Sequence, residues 1–139
     1  MTNAVIDPVK CDDGDPDIRV LWGAVDAADV NWSEKSLKNA NDHSVAVRVA
    51  LGKSSLIVTG DLEEDGIHEL LRRHGGSNVL DSDVYEVGHH GSHNATTKEL
   101  LDAITPKLAL ISTGSSDRQE MWTALAYGHP RQQTPVLLE

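Results

Sequence analysis

The chain has 139 residues, enough for one modest domain and too few for two. Its formal net charge of -10 argues against a generic binder of the nucleic-acid backbone, because phosphates are repelled at long range unless a bound cation reverses the local field. Cys11 is the only cysteine, which excludes an internal disulfide framework and argues against a cysteine-built zinc site.

Residues 1–16 are rich in Asp, Pro and Gly, as in Asp12-Asp13-Gly14-Asp15-Pro16. That is the composition of turns or a mobile tail, and the folded region is expected to span 17–139. Ile18, Val20 and Trp22 alternate with other residues, which predicts a strand from Asp17. Val25 to Ala40 shows no sustained period and reads as a loop with a helical turn at Ser33–Leu37. Ser44 to Leu51 puts Val45, Val47, Val49 and Leu51 on one face, and Gly52-Lys53 links it to a second run, Ser54 to Thr59. Two such runs around a short Gly-containing link predict a β-hairpin. The second run is apolar on both faces (Leu56, Ile57, Val58), so it is expected to be a central strand covered on both sides.

Asp61 follows directly after that strand, in Thr59-Gly60-Asp61. Leu62 to His74 then places Leu62, Ile67, Leu70 and Leu71 near helical spacing, with Glu63, Glu64 and Asp65 at the start and Arg72-Arg73 near the end. These charges complement the helix dipole, and Gly75-Gly76 stops the helix. Val84-Tyr-Glu-Val87 reads as a strand, and the imidazoles His89, His90 and His93 follow it at once. Asn94 or Thr96 is expected to cap a helix through Lys98–Ile104, which Pro106 ends. Leu108 to Ser112 reads as another buried strand, Thr113 to Met121 as a polar loop, Trp122 to Tyr127 as a helical turn and Gly128-His129-Pro130 as a turn. With no Phe, the core must come mainly from Val, Leu, Ile, Ala and three Trp. No apolar run approaches the length of a membrane span, and the N-terminus lacks the regions of a signal peptide, so the chain is expected to be soluble and cytoplasmic.

The chemistry sits at strand ends. Histidine is the commonest metal ligand, and several on one loop leaving a strand form a chemical feature as much as a packing one. If the strands before Asp61 and before His89-His90 are neighbours running the same way, a carboxylate and imidazoles converge on one sheet edge, a donor set suited to Zn²⁺ or Mn²⁺. Asp61 reads equally well as a helix N-cap. His68 and His74 lie on the predicted helix and are expected to be solvated, and His129 before Pro130 reads locally as a turn residue.

Asn41…Ser44-Val-Ala-Val-Arg-Val, Leu56-Ile-Val-Thr-Gly-Asp61, Asp83-Val-Tyr-Glu-Val-Gly-His-His-Gly-Ser92, Lys107-Leu-Ala-Leu-Ile-Ser112 and Tyr127-Gly-His-Pro130 occur in an order that resembles the C-terminal half of metallo-β-lactamase-fold hydrolases. The likeness covers about residues 17–134 and is greatest to the hydrolase domain of bacterial competence DNA-uptake proteins and related phosphodiesterases. It implies an α/β (α+β) fold, half of an αββα sandwich, with a mixed sheet and helices on one face. It implies that Asp61 is the carboxylate bridging two metal ions, that His90 is a metal ligand, and that His89 contacts the substrate phosphate or leaving group. His129 matches a late histidine facing the cleft, Asn41 a polar position before the hairpin, and His43 an extra ligand. The chain also departs from the pattern: the family's main metal motif, H-x-H-x-D-H, is absent, and no H-x-H occurs anywhere.

The expected reading is therefore part of a metal-dependent hydrolase, inactive alone, whose parent acts on a phosphodiester such as nucleic acid or a nucleotide. Its missing ligands would come from an N-terminal half-domain. The alternative is a non-catalytic half-domain that binds or oligomerises through its uncovered sheet face. A third reading, an independent metal-binding protein using His89, His90, His93 and His129, ranks last because no known ligand spacing joins those four.

Overall fold

The computed structural model describes residues 14–23, 28, 30, 32–114 and 123–139. Cys11, Trp122 and most of the two predicted tail and loop segments at 1–16 and 113–121 lie outside the described residues. Five strands form one sheet in chain order: β1 Asp17–Trp22, β2 Ala46–Leu51, β3 Ser54–Val58, β4 Val84–Glu86 and β5 Leu108–Leu110. β1, β2 and β3 are antiparallel in turn, whereas β3, β4 and β5 run parallel. The parallel steps are made by helices, because parallel neighbours need a crossover connection: α2 Glu64–His74 joins β3 to β4 and α3 Lys98–Ile104 joins β4 to β5. A short α1 Glu34–Lys38, capped by Ser33 as its side chain accepts from the Ser36 N–H, confirms the predicted helical turn. α4 Gln133–Leu138 closes the chain.

The helices and the sheet share one core. Ile57 and Tyr85 project from β3 and β4 onto Ile67 and Leu70 of α2 and Leu100 and Ile104 of α3, all fully or nearly fully buried. β1 docks on the end of α2: the His74 ring bonds the Leu21 carbonyl (2.9 Å) and Arg73 stacks over Trp22. His74 is thus a tethering residue and not the solvated one its position predicted; His68 is solvated.

Among the described residues the opposite sheet face is open. The register lines up Val49, Leu56, Val84 and Leu108 across four strands, and Val47 and Val58 beside them. Val45, Leu51, Leu108 and Leu110 are about half exposed. Two expectations change here. β3 is central, but the described residues cover it on one side only, and β5 ends the sheet order with both leucines exposed and is not a buried strand. The α3 cap also differs: Thr97 accepts from the Leu100 N–H, because Thr96 is engaged by the Tyr85 hydroxyl and Asn94 by Ser92. Among the described residues no helix is long and apolar enough to cross a membrane.

Asp83 staples the end of the sheet where β3, β4 and β5 begin. Its carboxylate accepts from the Ser55 N–H (2.8 Å) and hydroxyl and from Lys107 (2.6 Å). Lys107 and Ser55 hold that carboxyl below the usual carboxylate range. A carboxyl lowered on folding stabilises the fold above its unfolded value and loses that contribution as pH falls through its folded value. Asp83→Asn should therefore lower Tm at pH 7, and the gap to wild type should close as pH drops below about 4, as read by thermal melts across pH.

Candidate functional site

Parallel pairing of β3 and β4 meets the condition set by the sequence reading and brings the turns after both strands to the same edge. The two turns are joined by the His89 N–H, which donates to the Gly60 carbonyl (2.9 Å). Asp61, His89 and His90 line one cavity of about 140 Å³, with Gly60, Glu86 and Ser112. A crevice beyond the carboxyl ends of parallel strands is the usual place for a ligand in α/β sheets.

The His loop, Gly88–Gly91, is a tight turn suspended from the core. The buried Tyr85 hydroxyl accepts from the Gly88 N–H (3.1 Å) and faces the Thr96 hydroxyl (3.1 Å) and the Ala95 carbonyl. Gly88 has no room for a side chain, since a Cβ would lie 2.8 Å from Thr59 Oγ1 and 3.0 Å from the Ala95 carbonyl. Gly91 sits at φ +82°, with a Cβ position 2.6 Å from Pro130, so the turn at His129-Pro130 packs directly on the loop. His89 (φ 48°, ψ 44°) and His90 (φ 54°, ψ 27°) are both left-handed. That conformation costs about 1–2 kcal/mol per residue, and it is held by the surrounding contacts.

Those contacts orient the rings. His90 Nδ1 lies 2.7 Å from the Ser112 carbonyl. A carbonyl can only accept, so Nδ1 carries the proton and Nε2 keeps its lone pair, the arrangement typical of a metal-ligating histidine. His89 Nδ1 is turned inward, 3.3 Å from Glu63 Oε1, and its ring lies 5.5 Å from that of His129. Burial, with the neighbouring His89 and Arg131, pushes His129 below its usual value.

Asp61, His89, His90 and His129 are therefore brought together. His93 is exposed, and His43 bonds the Leu37 carbonyl (2.9 Å) while its ring packs edge-on against Trp32. Among the described residues no group of three or more His, Cys, Asp or Glu is arranged to hold a metal ion. This overturns the four-histidine reading. Structural and catalytic zinc sites take at least three protein ligands, so Asp61 and His90 fit part of a donor set and not the whole of one. Sequence reasoning missed Glu63, taken as a first-turn helix acid. It accepts from Asn41 (2.8 Å) and Asn39 (2.9 Å), and neither partner is local to it.

Comparison with known proteins agrees with this geometry. The family model of the metallo-beta-lactamase superfamily matches residues 9–115. The chain belongs to that superfamily. It is 35% identical over 112 residues to Competence protein ComA of Neisseria gonorrhoeae, covering 81% of this chain and 15% of that protein. It is 36% identical over 102 residues to ComE operon protein 3 of Bacillus subtilis (71% and 11%) and 39% over 74 residues to Recombination protein 2 of Haemophilus influenzae (53% and 9%). The chain thus spans less than a sixth of the length of these relatives. No solved structure matches it. The family match stops before His129, which reaches the site through the packing of Pro130 on Gly91.

Removing the Tyr85 hydroxyl should release the loop without opening a cavity. Tyr85→Phe leaves the buried Gly88 N–H without its acceptor and should cost about 1–3 kcal/mol in denaturant unfolding, with Gly88 amide exchange accelerated more than exchange in α2.

Proposed function

We propose that this chain carries one side of a metal-dependent hydrolase centre for phosphodiesters, with nucleic acid or a nucleotide as the substrate class. The observation that carries the reading is the shared cavity of Asp61 and His90 at the carboxyl ends of two parallel strands. A carboxylate beside an imidazole suits Zn²⁺ or Mn²⁺, and Asp61 and His90 would hold the ion. Bound there, a divalent ion lowers the pKa of a water and neutralises phosphoryl charge. It also reverses the repulsion that a net charge of -10 exerts on a phosphate. His89 at the cavity, with the His129 ring 5.5 Å behind it, contacts the phosphate or the leaving group, and His129 supports it there. The phosphodiester class rests on likeness to proteins named for competence and recombination. The remaining ligands come from other polypeptide, and the chain has no turnover by itself. A cytoplasmic location completes the reading.

The open sheet face favours a second reading, a non-catalytic module that assembles through it. Val45, Leu51, Leu108 and Leu110 are half exposed on a face that is apolar across four strands, and covering the exposed half of such a side chain stabilises by about 1 kcal/mol each. An N-terminal half-domain or a second copy of this chain would fill it.

One set of measurements decides between them. The purified chain, given Zn²⁺ or Mn²⁺, should bind metal in a manner lost in Asp61→Ala and His90→Ala, and should not hydrolyse bis(p-nitrophenyl) phosphate. Turnover by the chain alone refutes a shared centre. A metal-free, tight dimer in sedimentation supports the assembly module.

A further inference from the structure

We propose that Thr134 is a positioning residue for the site: its hydroxyl fastens the exit of the His loop to the C-terminal segment and thereby sets the His129 ring against His89. The inference rests on reading His89 as the phosphate contact and His129 as its support. His129 does not hold itself in place. Its ring lies 5.5 Å from that of His89, and among the described residues its buried Nδ1 has no hydrogen-bond partner. The position of the ring is therefore set by how the backbone on either side of it is anchored.

The two anchors are unequal. Upstream, the His129 N–H donates to the Ala124 carbonyl (3.0 Å) of a 3₁₀ turn, Ala124–Tyr127, that has no buried residue. Downstream, Thr134 is fully buried, the one buried residue of α4. Its hydroxyl lies 3.0 Å from the Gly91 carbonyl and 3.2 Å from the Ser92 carbonyl. A hydroxyl has a single proton, so one donor is shared between two acceptors on consecutive peptides. The Arg131 N–H donates to the same Gly91 carbonyl (2.9 Å), and the Thr134 N–H donates to the Arg131 carbonyl (3.0 Å), which closes residues 131–134 as a turn against the loop.

The hydrophobic effect does not account for this burial. On the same short helix Val136 and Leu137 are exposed (64% and 40%) while the polar side chain is inside. Nor is Thr134 needed to satisfy the two carbonyls, since Gly91 keeps the Arg131 N–H and Ser92 keeps the Ala95 N–H (3.3 Å) without it. What the hydroxyl adds is orientation. It fixes both peptides where the chain leaves the left-handed His89-His90 pair, with Gly91 at φ +82° and Pro130 packed on it. The His loop and the His129 turn are thereby fastened to one another.

The test compares Thr134→Val, which keeps the shape and removes the hydroxyl, with Thr134→Ser, which keeps the hydroxyl, in the intact metal-free chain. Wild type should show a nuclear Overhauser contact between the His89 and His129 ring protons, each ring identified by its loss in His89→Asn or His129→Asn. Thr134→Val should lose that contact and exchange the Ser92 and Arg131 amides about tenfold faster, the effect of one net hydrogen bond, with the Leu70 amide of α2 unchanged. Thr134→Ser should restore both. No contact in wild type, a contact kept in Thr134→Val, a serine variant that behaves like the valine one, or Leu70 accelerated as much as Ser92 each overturns the proposal. So does failure of the valine variant to fold, which would make Thr134 a core residue only. Neither readout uses metal or turnover, so loss of the hydrolase reading and loss of this one show in separate measurements.

Discussion

The parallel pairing of β3 with β4 is the constraint from which the rest follows. The ladder is short, from Leu56 opposite Val84 to Val58 opposite Glu86, but its direction decides where the reactive groups go. Run antiparallel, the same two strands would send Asp61 and His90 to opposite ends of the sheet, about 10 Å apart at the rise of a three-residue strand. Run parallel, they leave the sheet together. The structure then ties that edge by the His89–Gly60 backbone bond and the opposite edge by Asp83.

Much of this was written in the local sequence. The hairpin was legible because Gly52-Lys53 separates two β-branched runs, and α2 because its charges and its apolar positions agree on one helix. A helix between β3 and β4 suggested a mixed sheet, but that the two strands are parallel neighbours stayed a condition until the register was seen. What was not legible depends on long-range choices. Both faces of β3 are apolar, so alternation alone could not say which one the helices cover, and the choice fell to Ile57 and Tyr85. The α3 cap moved from Thr96 to Thr97 because Tyr85, eleven residues upstream of Thr96, had already engaged it. Glu63 looked like a helix acid because Asn39 and Asn41, which donate to it, lie on another segment. The family resemblance, by contrast, rested on T-G-D and H-H-G-S in order, and those are local features.

The open sheet face and the shortened donor set describe the same boundary. Where Val49, Leu56, Val84 and Leu108 line up, an apolar layer has one side only among the described residues. Where Asp61 and His90 line one cavity, the described residues assemble no group of three or more metal-binding side chains. A two-sided sandwich cut between its sheets would produce both features together, since each sheet brings half of the core and some of the ligands.

The left-handed backbone at His89 and His90 has a consequence for how such a loop ages. Conformation alone would prefer glycine or asparagine at both positions, by about 1 kcal/mol or more each. Imidazoles persist there only while their chemistry is useful enough to outweigh that preference. Relieved of the duty, both codons would be free to drift towards the smaller, more tolerant residues, and a retired copy of this loop would announce itself by composition before any assay was run.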